Sequence, residues 1–148
     1  MKRISIKGVL EEIRSAPTNL QHLAVFVLLV GIHSLILGIF IFFFTESFYW
    51  LFFQANIENF FFVRQAGLFL FCLGLFDIAV LKEVRKYYTF IKVIIATKVL
   101  AFLFLMSNGH LAVWPPIIFL AALGDGFMAL VLIYLYRRAD FKTTNREW

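Results

Sequence analysis

Four side chains in the sequence could do chemistry where chemistry is least expected. His33, Asp77, Lys98 and Asp125 each interrupt a long apolar stretch. An ionised side chain in hydrocarbon costs about 2.5 to 3.5 kcal/mol on insertion scales, so each needs a partner, water or a function. Asp77 precedes Lys82 by five residues, and Lys98 follows Lys92 by six. At about 1.5 Å per helical residue, both lie roughly 8 to 9 Å inward of those basic markers. The matched depths predict an Asp77–Lys98 ion pair, with snorkelling of Lys98 to the surface as the alternative. Asp125 stands twelve residues before Arg137 and eleven after Trp114, near the middle of its stretch, and His33 is about as deep. A His33–Asp125 pair with the Lys98 amine nearby would suit a polar headgroup, a proton relay or acid–base work. The same residues would serve equally as hydrogen-bonded links between helices. Gly124 and Gly126 leave room beside the Asp125 carboxyl.

The elements that must carry these groups follow from composition. Of 148 residues, 62% are hydrophobic and 16% charged, and Phe alone occurs 20 times. Soluble domains run nearer half apolar and a quarter charged. A chain this short has too little interior to hide such a load, and disorder is excluded for the same reason. Apolar stretches at about 23–44, 61–81, 88–106 and 114–136 are each long enough to cross roughly 30 Å of hydrocarbon as a helix. The predicted fold is all-α: an integral membrane four-helix bundle over residues 23–136. Residues 1–22 form a cytoplasmic interfacial segment, and 137–148 a cytoplasmic tail. Ile6, Val9, Leu10 and Ile13 recur at helical spacing and predict a short amphipathic N-terminal helix lying on the membrane surface. Pro17 ends it, and Thr18 or Asn19 is placed to cap the first span. The first apolar stretch is too long for a cleaved signal and reads as a retained span.

Charge sets the orientation. Of the 14 Lys and Arg residues, all but Arg64 and Lys98, hence 12, fall before the first span, around the second connection or after the last span. The positive-inside rule then puts both termini in the cytoplasm, and compactness and topology point to the bacterial cytoplasmic membrane. Topology accounts for the net charge of +5, which would also attract anionic lipid headgroups. A nucleic-acid partner is not needed to explain it.

On the outer side, Phe48-Tyr49-Trp50-Leu51-Phe52-Phe53 precedes Gln54, Asn56, Glu58 and Asn59. Such a stretch reads as a half-submerged aromatic belt, with a rim over a lipid-like ligand as the sharper alternative. Arg64 is within sequence reach of Glu46 or Glu58 and would fix this connection by an ion pair. Gly31 and Gly38 in the first span match Gly67 and Gly74 in the second, both pairs seven apart, a spacing that permits close left-handed helix packing. Cys72 is the sole cysteine, so no internal disulfide or CxxC motif exists. His22, His33 and His110 lie at three depths and predict neither a metal cluster nor bis-histidine haem ligation. No Walker or dinucleotide-binding glycine motif occurs, and no cofactor is implied.

Arg64-x-x-Gly67, Gly74, the basic Arg85-Lys86-Tyr87 and the lone Asp125 of the last span together resemble the small four-helix bacterial membrane proteins grouped as DoxX-like. The resemblance covers about half the chain, from Arg64 to Tyr136. It implies a compact four-helix bundle and, for some members, association with oxidoreductase or respiratory systems. Bundles related to that group hold sterol-like ligands with carboxylates, a role that would fall here to Asp77 and Asp125; the missing cysteine motif speaks against thiol chemistry. The first functional expectation is an accessory or structural subunit of a larger membrane complex, partnered by lipids and by other integral subunits or copies of itself. The alternative is an enzyme or binding protein for a lipid, quinone or sterol-like molecule, with His33, Asp77, Lys98 and Asp125 at its polar end and phenylalanines along its walls. A third is a transport or proton-conducting component.

Overall fold

A computed structural model describes residues 14, 17–53, 59–109 and 116–139. It is all-α: α1 is Thr18–Phe43, α2 Thr45–Phe53, α3 Phe61–Val80, α4 Tyr88–Gly109 and α5 Pro116–Arg138, with a 3-10 turn at Leu81–Glu83 after α3. Among the described residues, four helices are long and apolar enough to cross a membrane, and they coincide with the four predicted stretches. The predicted amphipathic helix over Ile4–Ile13 and the tail lie outside the described residues.

Most boundaries fall where backbone chemistry puts them. α1 starts five residues earlier than expected, directly after Pro17, whose carbonyl accepts from the Leu20 and Gln21 N–H groups. Thr18 and Asn19 are inside the helix, and no side chain caps it, which corrects the predicted capping role. Pro116 opens α5, where a missing N–H costs nothing. Between α1 and α2 only Phe44 breaks the helix, with φ −112° and ψ 39°, and its N–H still reaches the Phe40 carbonyl. Rings then bridge the bend: Phe40 packs on Phe44 at 5.8 Å and on Phe48 at 6.2 Å between centroids. The aromatic stretch of the first connection is helical through Phe53, with Trp50 exposed on it.

The helices pack as two pairs. α1 lies along α3, and α4 along α5; α1 and α5 join the pairs, while α3 and α4 touch only weakly despite their short connection. A shared apolar core sits at one end, where Leu23, Val27, Leu81, Ile91, Ile94 and Leu132 meet. Toward the other end the burial pattern changes. Past Lys98, no described residue of α4 is buried, and the buried positions of α1 become Gly31, Ser34, Gly38 and Ile41, with both glycines turned to α3. Outward faces are mostly apolar: Ile36, Phe69, Leu100 and Leu130 are all exposed, more contiguous hydrocarbon than a water-facing surface carries.

The glycine spacing has a literal counterpart. In the antiparallel α1/α3 pair, Gly31 meets Gly74 and Gly38 meets Gly67. A Cβ on Gly74 would stand 2.8 Å from the Gly31 carbonyl oxygen, and one on Gly38 only 2.5 Å from the Phe71 nitrogen. Backbone faces backbone there, so only hydrogen fits.

Candidate functional site: a polar cluster between two helix pairs

At the level where the common core gives way, the other three candidates all come within electrostatic range of Lys98. Lys98 of α4 donates from Nζ to the Asp125 Oδ1 of α5 at 2.9 Å. The side chains keep 9% and 16% of their accessible surface, so the pair is largely withdrawn from solvent. The charges of Lys98 and Asp125 both act on His33 of α1, and that of Lys98 acts on Asp77 of α3. One helix contributes each group.

The predicted Asp77–Lys98 pair is therefore corrected: the partner of Lys98 is Asp125. Depth matching assumed that helices joined by a short connection are neighbours along their whole length. Instead α4 keeps its face to α5 and meets α3 only weakly, so the amine is presented to α5. The expected approach of the first and last spans does occur, through the α1–α5 contact, and it brings His33 into range of Asp125.

Asp77 is the unusual member. It is 5% exposed, and its Cβ stands 3.2 Å from where a Gly31 side chain would begin. Among the described residues no hydrogen bond or ion pair reaches its carboxyl. Neither oxygen is sealed without a partner, so the little of Asp77 that remains accessible includes its carboxyl oxygens. His33 is exposed, and the space where a Gly124 side chain would stand holds no atom within 4 Å. Gly126, by contrast, is covered by the Phe102 ring, 2.8 Å from a Cβ there. The expected room beside Asp125 thus exists on the Gly124 side alone.

Chemically, the cluster offers an ammonium–carboxylate pair, an imidazole, and a carboxyl group whose hydrogen-bonding capacity no described residue uses. It can hold a polar head by hydrogen bonds while Phe and Leu side chains cover the rest. Among the described residues no three His, Cys, Asp or Glu side chains gather at metal-binding distance.

The outer-side candidates resolve differently. Arg64 Nε donates to Thr45 Oγ1 at 3.4 Å, and its guanidinium carbon lies 5.5 Å from the Phe60 ring centroid. Among the described residues it forms no ion pair with Glu46; Glu58 lies outside them. Thr45 is the residue that sequence reasoning missed. It is buried, and its hydroxyl donates back to the Ile41 carbonyl at 2.7 Å. A lone Thr at the foot of an aromatic run was the available signal, since a buried hydroxyl at a helix end bonds the turn before it. Glu46, Ser47, Trp50, Leu51 and Phe40 line an open hollow beside this bend.

No family model, curated protein or solved structure matches the chain.

Proposed function

We propose that this chain is an integral membrane protein that holds a lipid-like molecule between its two helix pairs, with the molecule's polar head at Asp77. The observation that carries the reading is Asp77, a residue 5% exposed whose carboxyl has no partner among the described residues, set beside a Lys98–Asp125 pair that is already bonded. An unmatched buried carboxyl is costly, and a hydroxyl or carbonyl head would match it. A quinone, a sterol-like alcohol or a lipid headgroup all fit that description. His33 would line the same space, and the open side of Gly124 would admit the neighbouring atoms. Lys98 and Asp125 hold α4 to α5 and position the site. Basic residues at one end of the bundle support cytoplasmic termini, and the compact topology supports a bacterial cytoplasmic membrane. The DoxX-like resemblance is compatible with this reading and rests on the same Gly67, Gly74 and Asp125.

Assembly as an accessory subunit is the second reading. It is favoured by the broad apolar faces of α3 and α4, which have no described helix against them over much of their length.

Native mass spectrometry from lipid nanodiscs tests both. The expected result is one discrete small molecule on the wild-type chain, absent from a folded Asp77→Asn variant. A wild-type chain carrying only a spread of bulk phospholipids would defeat the ligand reading. A stoichiometric protein partner would establish the second.

A further inference from the structure

The end of the bundle that carries the shared core also carries six described cations, and five of them lack a counter-charge among the described residues. Lys82, Arg85, Lys86 and Lys92 come from the α3–α4 connection and the start of α4, and Arg137 and Arg138 from the last turn of α5. The core contacts of Val84, Ile91, Leu132 and Ala139 bring these two segments together. Glu83 is the only described carboxylate among them, and it is taken by Lys86 at 3.1 Å. None of the other five has an ion-pair partner among the described residues.

Aromatic rings hold two of the free cations in place. Arg138 Nη1 donates to Tyr134 Oη at 2.8 Å, and its guanidinium carbon lies 5.4 Å from that ring's centroid. Lys92 Nζ stands 5.8 Å from the centroid of Tyr88. Tyr134 is itself 56% exposed, an amphipathic ring facing outward. Level matters as much as charge. With Asp125 at mid-bilayer, Arg137 lies twelve residues along α5, about 18 Å, or about 3 Å beyond the edge of a 30 Å hydrocarbon slab. Tyr134 then lies just inside that edge. Arg137 and Arg138 therefore stand where ester phosphates stand, tyrosine stands where it favours the interface, and the long stems of Lys82 and Lys92 can carry their amines outward toward that level.

From this we infer a binding site for the phosphate of an anionic phospholipid, built by Arg137 and Arg138 with Lys82, Arg85 and Lys92. Arginine forks suit phosphate oxygens, and the unpaired cations supply the charge. The site lies at the end of the bundle, about one to two helical turns beyond Asp77, and does not rest on the reading of that residue.

The test uses the full chain in nanodiscs of mixed phosphatidylglycerol and phosphatidylcholine, with retained lipids read by native mass spectrometry. Phosphatidylglycerol is expected to be retained over phosphatidylcholine. The preference should fall about fivefold for each charge removed in Arg137→Gln and Arg138→Gln, and should fall with salt. Arg64→Gln, at the opposite end, should leave it unchanged. Charge-preserving Arg137→Lys and Arg138→Lys should retain most of it, which separates lost charge from lost folding. Equal retention of the two lipids, or an unchanged preference in the doubly neutralised chain, would overturn the proposal. So would displacement of phosphatidylglycerol by millimolar inorganic phosphate, which would identify a soluble anion as the occupant.

Discussion

The two helix pairs solve the same packing problem with opposite materials. α1 and α3 approach so closely that glycine backbones touch, with Gly31 opposite Gly74 and Gly38 opposite Gly67. α4 and α5 are held by side chains: a Lys98–Asp125 pair at 2.9 Å and the Phe102 ring over Gly126. In the lipid surroundings proposed for the bundle, tails are as apolar as leucine, so neither pair would gain much from burying hydrocarbon, and close packing or polar bonds would have to hold each pair. The difference predicts how each pair fails. A backbone interface cannot yield to an added atom, whereas a side-chain interface can repack or lose its charge.

The largest effect should follow Gly38→Leu. A Cβ there would lie 2.5 Å from the Phe71 nitrogen and 2.9 Å from its Cα, so the helices themselves would have to part. The added carbons go beyond ordinary overpacking, which costs about 1 to 3 kcal/mol. Loss of the folded monomer is expected, read by size exclusion and circular dichroism in mild detergent. A Gly38→Leu chain with wild-type melting would show that the close α1/α3 approach does not form.

Next comes Lys98→Met, which strands the Asp125 carboxyl. Breaking one side of a withdrawn pair costs about 3 kcal/mol, while replacing both sides with apolar groups is often near neutral. The single substitution should lower stability by about that amount, and Lys98→Met with Asp125→Leu should recover most of it. A double-mutant cycle in detergent unfolding checks this. Additive losses would mean that the two side chains do not act as a pair.

The sequence carried the parts of this architecture that depend on composition and local period. The four apolar helices and the glycine spacing were legible because span length and small-residue spacing are properties of a segment; the antiparallel register that sets Gly31 against Gly74 was not. The four polar candidates stood out because a polar group in an apolar run is conspicuous. Pairing was not. Asp77 and Asp125 are both within plausible reach of Lys98, and only the rotation of α4 toward α5 decides between them. That rotation is set by the whole packing arrangement, including Phe102 against Gly126, which no local pattern encodes. The Arg64–Thr45 contact escaped for a related reason. A carboxylate such as Glu46 is the stronger expected partner by charge, yet the Phe44 bend turns a neutral hydroxyl toward the guanidinium instead.

The smallest effects divide the α4/α5 pair within three residues. A Cβ on Gly126 would meet Phe102 Cδ2 at 2.8 Å, a side-chain atom that can swing away, so Gly126→Ala should cost about 1 kcal/mol rather than the fold. Gly124 faces no atom within 4 Å, and alanine is the better helix former by up to about 1 kcal/mol. Gly124→Ala should thus be neutral or slightly stabilising, as measured by thermal unfolding of both variants in one detergent. The two glycines are separated only by Asp125, so helix propensity alone would move both variants the same way. Opposite signs would place the open side of the carboxyl at Gly124. If a head group occupies that side, Gly124→Ala should weaken ligand retention while leaving stability intact, a combination that a purely structural Asp125 would not produce.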